Sequence, residues 1–277
     1  MKRRVMTLVI AVAALATSGL TAASASAAVA KPIVFNSIPK NLPGNVPSQP
    51  FQAQQTSEFG DAVTLASGPT DKLKQVTIVM SSWACQSGTW FDGNCLTTPG
   101  AKFTVPITLK VYQFVPGSPP TPGTVIASST KNFKIPYRPS ADPTNCSATP
   151  EKYQATDGQC YNGKASRISF AFGGQTLPSQ VIWGITYNTS GYGYAPLGYN
   201  NPCNSTVQGC PYDSLNVGAA ATSPSVGTDQ YLSGVFLNSS TPGVYCDGGS
   251  GGTNTFRLDD GCWAGFNPLI RFKVFSS

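Results

Sequence analysis

The sequence contains no histidine. That absence removes imidazole general acid–base chemistry, Ser-His-Asp and Cys-His nucleophile systems, and zinc sites that use histidine. Charge is scarce too: Asp, Glu, Lys and Arg make up 11% of the 277 residues, under half the roughly 25% of ordinary soluble domains. Beyond Lys2, Arg3 and Arg4 the basic residues are scattered, with no run denser than Lys72-Leu73-Lys74 and no interleaved aromatics. Nucleic acid demands a concentrated positive face, so it is not expected as a partner. No segment repeats apolar residues every 3.6 positions, which argues against amphipathic helices. No apolar run approaches the roughly 20 residues of a membrane-spanning helix, so no integral membrane segment is expected in the mature protein.

The longest apolar stretch, Val5 to Ala16, instead follows Lys2, Arg3 and Arg4 and precedes Ala25-Ser26-Ala27 and Ala28-Val29-Ala30. A positive start, a short apolar run and small residues in an A-x-A pattern make an export signal, with cleavage expected after Ala27 or Ala30. Residues 1–30 are therefore read as a signal peptide and the protein as secreted, extracellular or associated with the cell wall. Loss of Lys2, Arg3 and Arg4 lowers the 18 basic residues to 15, against 12 acidic ones. Such a surface must be wetted by Ser, Thr, Asn and Gln, which suits contact with neutral polymers.

Export gives the eight cysteines their meaning. They fall into four close pairs, Cys85/Cys95, Cys146/Cys160, Cys203/Cys210 and Cys246/Cys262. An even count in an oxidising compartment reads as disulfides, and sequential pairing is expected. None shows C-x-x-C spacing, so thiolate metal sites are not expected. A chain of this length buries a core without disulfide help, so the staples are expected to hold loops.

The apolar residues alternate. Val76, Ile78 and Met80; Val105, Ile107, Leu109 and Val111; Ile168, Phe170 and Phe172; Val181, Trp183, Ile185 and Tyr187; and Ile270, Phe272 and Val274 each recur with period two. That spacing puts one set of side chains into a core and the other outward. Weaker strand signals lie at 60–66, 124–137, 212–217 and 231–237. With 28 Gly and 23 Pro breaking the runs, the pattern predicts an all-β, antiparallel β-sandwich of jelly-roll type with disulfide-stapled loops. Residues 31–50, dense in proline, read as an N-terminal extension, an edge segment or a linker, and 51–277 as a single domain.

Loop aromatics are the leading candidates for a site. Trp83, Trp90 and Phe91 flank the first cysteine pair, Tyr192, Tyr194 and Tyr199 punctuate a Gly/Asn-rich loop over 187–200, and Trp263 and Phe266 follow Cys262. Flat rings on sandwich loops stack on sugar faces, while Asn and Gln bond hydroxyls. The alternative is burial: Trp83 and Trp183 lie in alternating runs and read as core, and Trp263 reads as packed on its disulfide. Trp90, Tyr192, Tyr194 and Tyr199 are therefore taken as the ligand-binding residues.

Carboxylates offer less. The mature chain has two glutamates, Glu58 and Glu151, and ten dispersed aspartates. Asp92-Gly93, Asp157-Gly158 and Asp247-Gly248 read as turns, and adjacent Asp259 and Asp260 point to opposite faces of a strand. No catalytic residue is assigned. Asp213, Asp229, Asp247, Asp259 and Asp260 contain enough oxygen for calcium, but no ordered ladder orders them, so no cofactor or metal is assigned. The stretch 247–252 lacks a following Lys-Ser/Thr and is not a phosphate loop.

The segments Ser57-Glu58-Phe59-Gly60-Asp61, Val76 to Trp83, Ile135 to Pro143 and Pro211 to Val217 resemble a group of uncharacterised secreted bacterial β-sandwich proteins. The resemblance covers most of the mature chain and implies secretion and a sandwich fold. It brings no activity with it, so no functional residue follows from it. The expected function is non-catalytic binding of an extracellular or cell-wall polysaccharide. The alternatives are an adhesive or structural surface protein that binds another protein, and a carboxylate-only glycoside hydrolase.

Overall fold

Alternation along the chain decides which residues face inward. Phe103, Val105, Ile107, Leu109 and Val111 are buried, whereas Thr104 and Pro106 between them are exposed. Ile270, Phe272 and Val274 repeat the pattern at the C-terminal end. The computed structural model describes residues 33–49, 51, 56–66, 71–90, 92–187, 215–239, 246–249, 252 and 254–275. Among them there is no helix. The strands are β1 (Ile33–Asn36), β2 (Ser48–Gln49), β3 (Thr56–Thr64), β4 (Leu73–Ser82), β5 (Lys102–Val115), β6 (Thr121–Pro136), β7 (Tyr153–Gln154) and β8 (Cys160–Tyr161). They continue with β9 (Lys164–Ala171), β10 (Gln180–Thr186), β11 (Leu215–Ala220), β12 (Thr228–Asp229), β13 (Val235–Ser239), β14 (Arg257–Asp259), β15 (Asn267–Pro268) and β16 (Ile270–Val274).

Two seven-stranded antiparallel sheets form a β-sandwich. The first runs β1-β16-β4-β11-β15, with β9 on β4 and β2 on β11; the second runs β14-β13-β3-β10-β5-β6, with β12 on β3. The chain crosses repeatedly between them, as in a jelly roll. The proline-dense stretch supplies β1, an edge strand against β16, and β2 against β11. Pro106 is tolerated because β10 pairs with β5 only from Thr108 onward, which leaves that flank of Pro106 without a ladder.

The shared core takes Phe59, Val63, Val105, Ile107, Trp183 and Ile185 from the second sheet and Val76, Ile78, Met80, Phe170 and Phe272 from the first. The second sheet also curls, so that its outer face is covered. Ala62, Tyr112, Ile182 and Phe236 form a smaller cluster there, with the Phe256 ring tilted against both Tyr112 and Phe236 at centroid distances of 5.7 and 5.6 Å. A glycine pair makes this possible, since Gly60 and Gly184 face each other across β3 and β10. A methyl at Gly184 would collide with the Glu58 carboxyl, and one at Gly60 with the Trp183 carbonyl.

Three disulfides join Cys85–Cys95, Cys146–Cys160 and Cys246–Cys262, as the sequential pairing requires, and they indicate an oxidising environment. Cys203 and Cys210 lie outside the described residues.

Candidate functional site

Two of the stapled loops meet beside one end of the sheets. The first leaves β4 at Ser82 and carries Cys85–Cys95, with Ser87 and Leu96 exchanging both backbone hydrogen bonds at 2.9 and 2.8 Å. Its tip is a tight turn. The Thr89 N–H donates to Asn94 Oδ1 at 2.7 Å and the Thr89 hydroxyl to Asp92 Oδ2 at 2.7 Å, while Gly88 and Gly93 take the positive φ the turn requires. The second loop follows β6 and is tied by Cys146–Cys160 and the β7–β8 hairpin.

Arg138 locks the two loops together. It is fully buried; its N–H donates to the Ala84 carbonyl, Nε to the Pro139 carbonyl and Nη2 to the Glu151 carbonyl at 2.8 Å. Its guanidinium lies over the Tyr153 ring at 5.7 Å. Burial lowers its pKa to about 10, opposed by Tyr153 and Glu151. A cation held by carbonyls and a ring face, rather than by a salt bridge, stabilises one loop geometry.

Between the loops lies a groove of about 520 Å³ lined by Trp90, Asp92, Gly93, Pro143, Pro150 and Glu151. Trp90 is half-buried, and Trp83 meets it edge to face at 4.8 Å and 81°. The Trp83 Nε1–H donates to Ser81 Oγ, which in turn donates to Asn45 Oδ1. The bracing ring is therefore oriented by the sheet itself. An aromatic wall, two prolines and two carboxylates make an apolar surface with a few hydrogen-bond acceptors, the composition of a small-ligand site.

Three other polar clusters lie inside the fold. Asp247 Oδ1 accepts from Arg257 Nη2 at 2.9 Å and from the Gly249 N–H, and its Oδ2 accepts from Ser239. Asp259 accepts from the N–H groups of Gly248 and Gly261 and from Trp263 Nε1 at 2.8 Å. Both carboxylates thus face donors, an arrangement that fixes the third stapled loop. Burial raises the Asp259 pKa, with a further contribution from Asp247, while hydrogen bonds and Arg257 outweigh burial and hold Asp247 low.

On the curled sheet, the Tyr112 hydroxyl donates to Glu58 Oε1 and Lys110 Nζ lies 3.8 Å from Oε2. Burial raises the Glu58 pKa and both partners lower it. Asp61 is buried on the core side opposite Trp183, and its pKa stands well above the ordinary range through burial and then the charge of Asp229. Asp61 is only 2% exposed, which suits a core acid rather than an acid–base catalyst. No group of three or more Cys, Asp or Glu is arranged to hold a metal among the described residues.

Of the sequence candidates, the structure places Trp90 in a groove. Tyr192, Tyr194 and Tyr199 lie outside the described residues. Trp183 and Trp263 are buried, at 0% and 5% exposure. Trp83 departs from the expected core position. It stands just past the end of β4, half-buried, as the brace of Trp90. Asp92 and Glu151 were legible only as a turn former and a lone carboxylate, because the sequence separation of 59 between them is closed by tertiary contact. No family model, curated protein or solved structure matches the chain.

Proposed function

We propose that the protein is a secreted, non-catalytic binding module for an extracellular or cell-wall polysaccharide, and that the Trp90 groove is where it holds the sugar. The observation that carries this reading is the half-exposed Trp90 ring, braced by Trp83 on loops tied by two disulfides and Arg138. A ring held in one orientation loses little entropy on stacking, and Asp92 and Glu151 supply acceptors for sugar hydroxyls. The export signal and low charge support the same reading.

The test is retention of the oxidised mature protein on chitin, cellulose and insoluble cell-wall material, followed by tryptophan fluorescence. Trp183 and Trp263 are buried, so a ligand-dependent shift reports on Trp83 and Trp90. Trp90→Ala is expected to weaken retention by about tenfold, equivalent to about 1.4 kcal/mol. Undiminished retention by Trp90→Ala removes the groove from the reading. A wild-type protein retained on none of these polymers overturns glycan binding and favours a protein partner.

A further inference from the structure

The outer face of the first sheet carries an unusual juxtaposition of charge. Arg271 on β16 lies opposite Thr77 on β4, which lies opposite Ser169 on β9. Arg167 on β9 lies opposite Val79, two residues along β4 from Thr77. Because Val76 and Ile78 point into the core, Thr77, Val79 and both arginines share the outer face. Two guanidiniums therefore flank one strand, close enough that Arg167, after burial, depresses the pKa of Arg271. The two like charges, one strand apart and offset by two residues, repel each other rather than pair.

Among the described residues no acid relieves them. A groove of about 560 Å³ runs along this face, lined by Arg167, Arg271, Lys40, Asn36, Ser37 and neighbouring hydroxyl residues, with no carboxylate among its lining. Among the described residues neither arginine forms an ion pair; Arg167 Nη2 donates to the Pro39 carbonyl at 3.3 Å. Arg271 Nε is buried with no hydrogen-bond partner, and so is Asn36 Oδ1. These two residues face each other across β1 and β16. Beneath the groove an unused cationic donor and an unused acceptor, both buried, thus lie on facing residues.

We propose that this groove binds the acidic sugar units of a polysaccharide, with a uronate carboxylate between Arg167 and Arg271 and a ring hydroxyl donated to Asn36 Oδ1. The guanidinium fork matches a planar carboxylate, and a sugar acid presents an oxyanion and a hydroxyl on one ring. A bare oxyanion leaves the Asn36 acceptor unsatisfied. This site is separate from the Trp90 groove and shares no residue with it. It rests on the glycan-binding reading only for the polymer that carries the acid.

The experiment compares wild type, R167Q/R271Q and K102Q/K134Q on polygalacturonate at 0.15 M salt, where long-range attraction is screened. Lys102 and Lys134 are exposed on β5 and β6, so the second variant makes the same charge change elsewhere. R167Q/R271Q is expected to lose at least tenfold in affinity, and K102Q/K134Q less than twofold. Removal of the repulsion is also expected to leave the melting temperature of R167Q/R271Q equal to or above wild type, which excludes unfolding as the cause. Equal losses in both variants, or no loss in R167Q/R271Q, overturns the proposal.

The Arg271 Nε–H resonance distinguishes the anion's source. A shift with galacturonate oligomers that equimolar sulfate does not reproduce supports a sugar-acid site, and an equal response to sulfate overturns that assignment. Because W90A alters no residue of this groove, loss of neutral-polymer binding in W90A and loss of polygalacturonate binding in R167Q/R271Q fail independently.

Discussion

Replacing Asp247 by asparagine removes one charge and almost no volume from a buried ion pair. Arg257 Nη2 lies 2.9 Å from Asp247 Oδ1, and the two side chains are 7% and 0% exposed. Arg257 Nη1 also donates to the Leu237 carbonyl on β13, so the guanidinium has no route to water once its partner is neutral. Breaking one side of a buried pair costs about 3–5 kcal/mol, because the remaining charge stays desolvated. Asp259 offsets part of that cost. Its pKa is raised by burial and by Asp247, so the substitution lets Asp259, two residues from Arg257 along β14, ionise more readily. We therefore expect the lower end, about 3 kcal/mol at pH 7, or roughly 6–12 °C in melting temperature for a domain of this size.

The pH dependence separates charge from packing. The folded pKa of Asp247 is lowered, so its stabilisation is present above the ordinary aspartate range and disappears as pH falls through the folded value. Wild type loses this contribution in acid and D247N has none to lose. Urea melts of both proteins from pH 7 downward are expected to converge in acid. A gap that stays constant with pH, or one below 1 kcal/mol at pH 7, would refute the assignment of Asp247 as the charge partner that holds the third stapled loop.

The raised pKa of Asp61 has the opposite sign: its stabilisation is complete below the unfolded value and is lost as pH rises through the folded one. Asp61→Asn is expected to flatten that slope, at most about 1.4 kcal/mol per pH unit for one proton, and to raise stability at pH 7; urea melts across pH show it. C85S/C95S opens a loop with a sequence separation of 10, for which chain entropy gives at most about 2.7 kcal/mol. The same variant is expected to weaken retention on whichever polymer wild type binds, because the loop carries Trp90. At the glycine pair, G184A is expected to cost about 1–3 kcal/mol, since Glu58 must give way. G60A is expected to cost more, since a new methyl there meets the Trp183 backbone carbonyl; the reverse ranking in thermal melts contradicts the close approach of β3 and β10.

Much of this architecture is written in local pattern. Period-two runs such as Phe103 to Val111 and Ile270 to Val274 announce strands because the pleat sends alternate side chains to opposite faces, whatever their partners. Close cysteine pairs announce staples because a short loop holds its two ends near each other. Trp90 stood out because it lies beside the first cysteine pair and outside the alternating runs that hold Trp83 and Trp183. β1 was harder to read, since only Val34 and Phe35 mark it within a proline-dense stretch.

What tertiary structure alone decided was which distant residues share a face or a groove. Trp83 reads as a core residue until β4 ends at Ser82 and leaves its ring to brace Trp90. Arg138 looks like one more scattered cation until it is buried between two loops, bonded to the Pro139 and Glu151 carbonyls. Arg167 and Arg271 are 104 positions apart and become neighbours only because β9 and β16 both pair with β4. The sequence determines periodicity and loop closure, which are short-range properties of one chain segment. Convergence of charge and aromatic rings depends on strand order and register, and those are set by burying all the apolar faces at once.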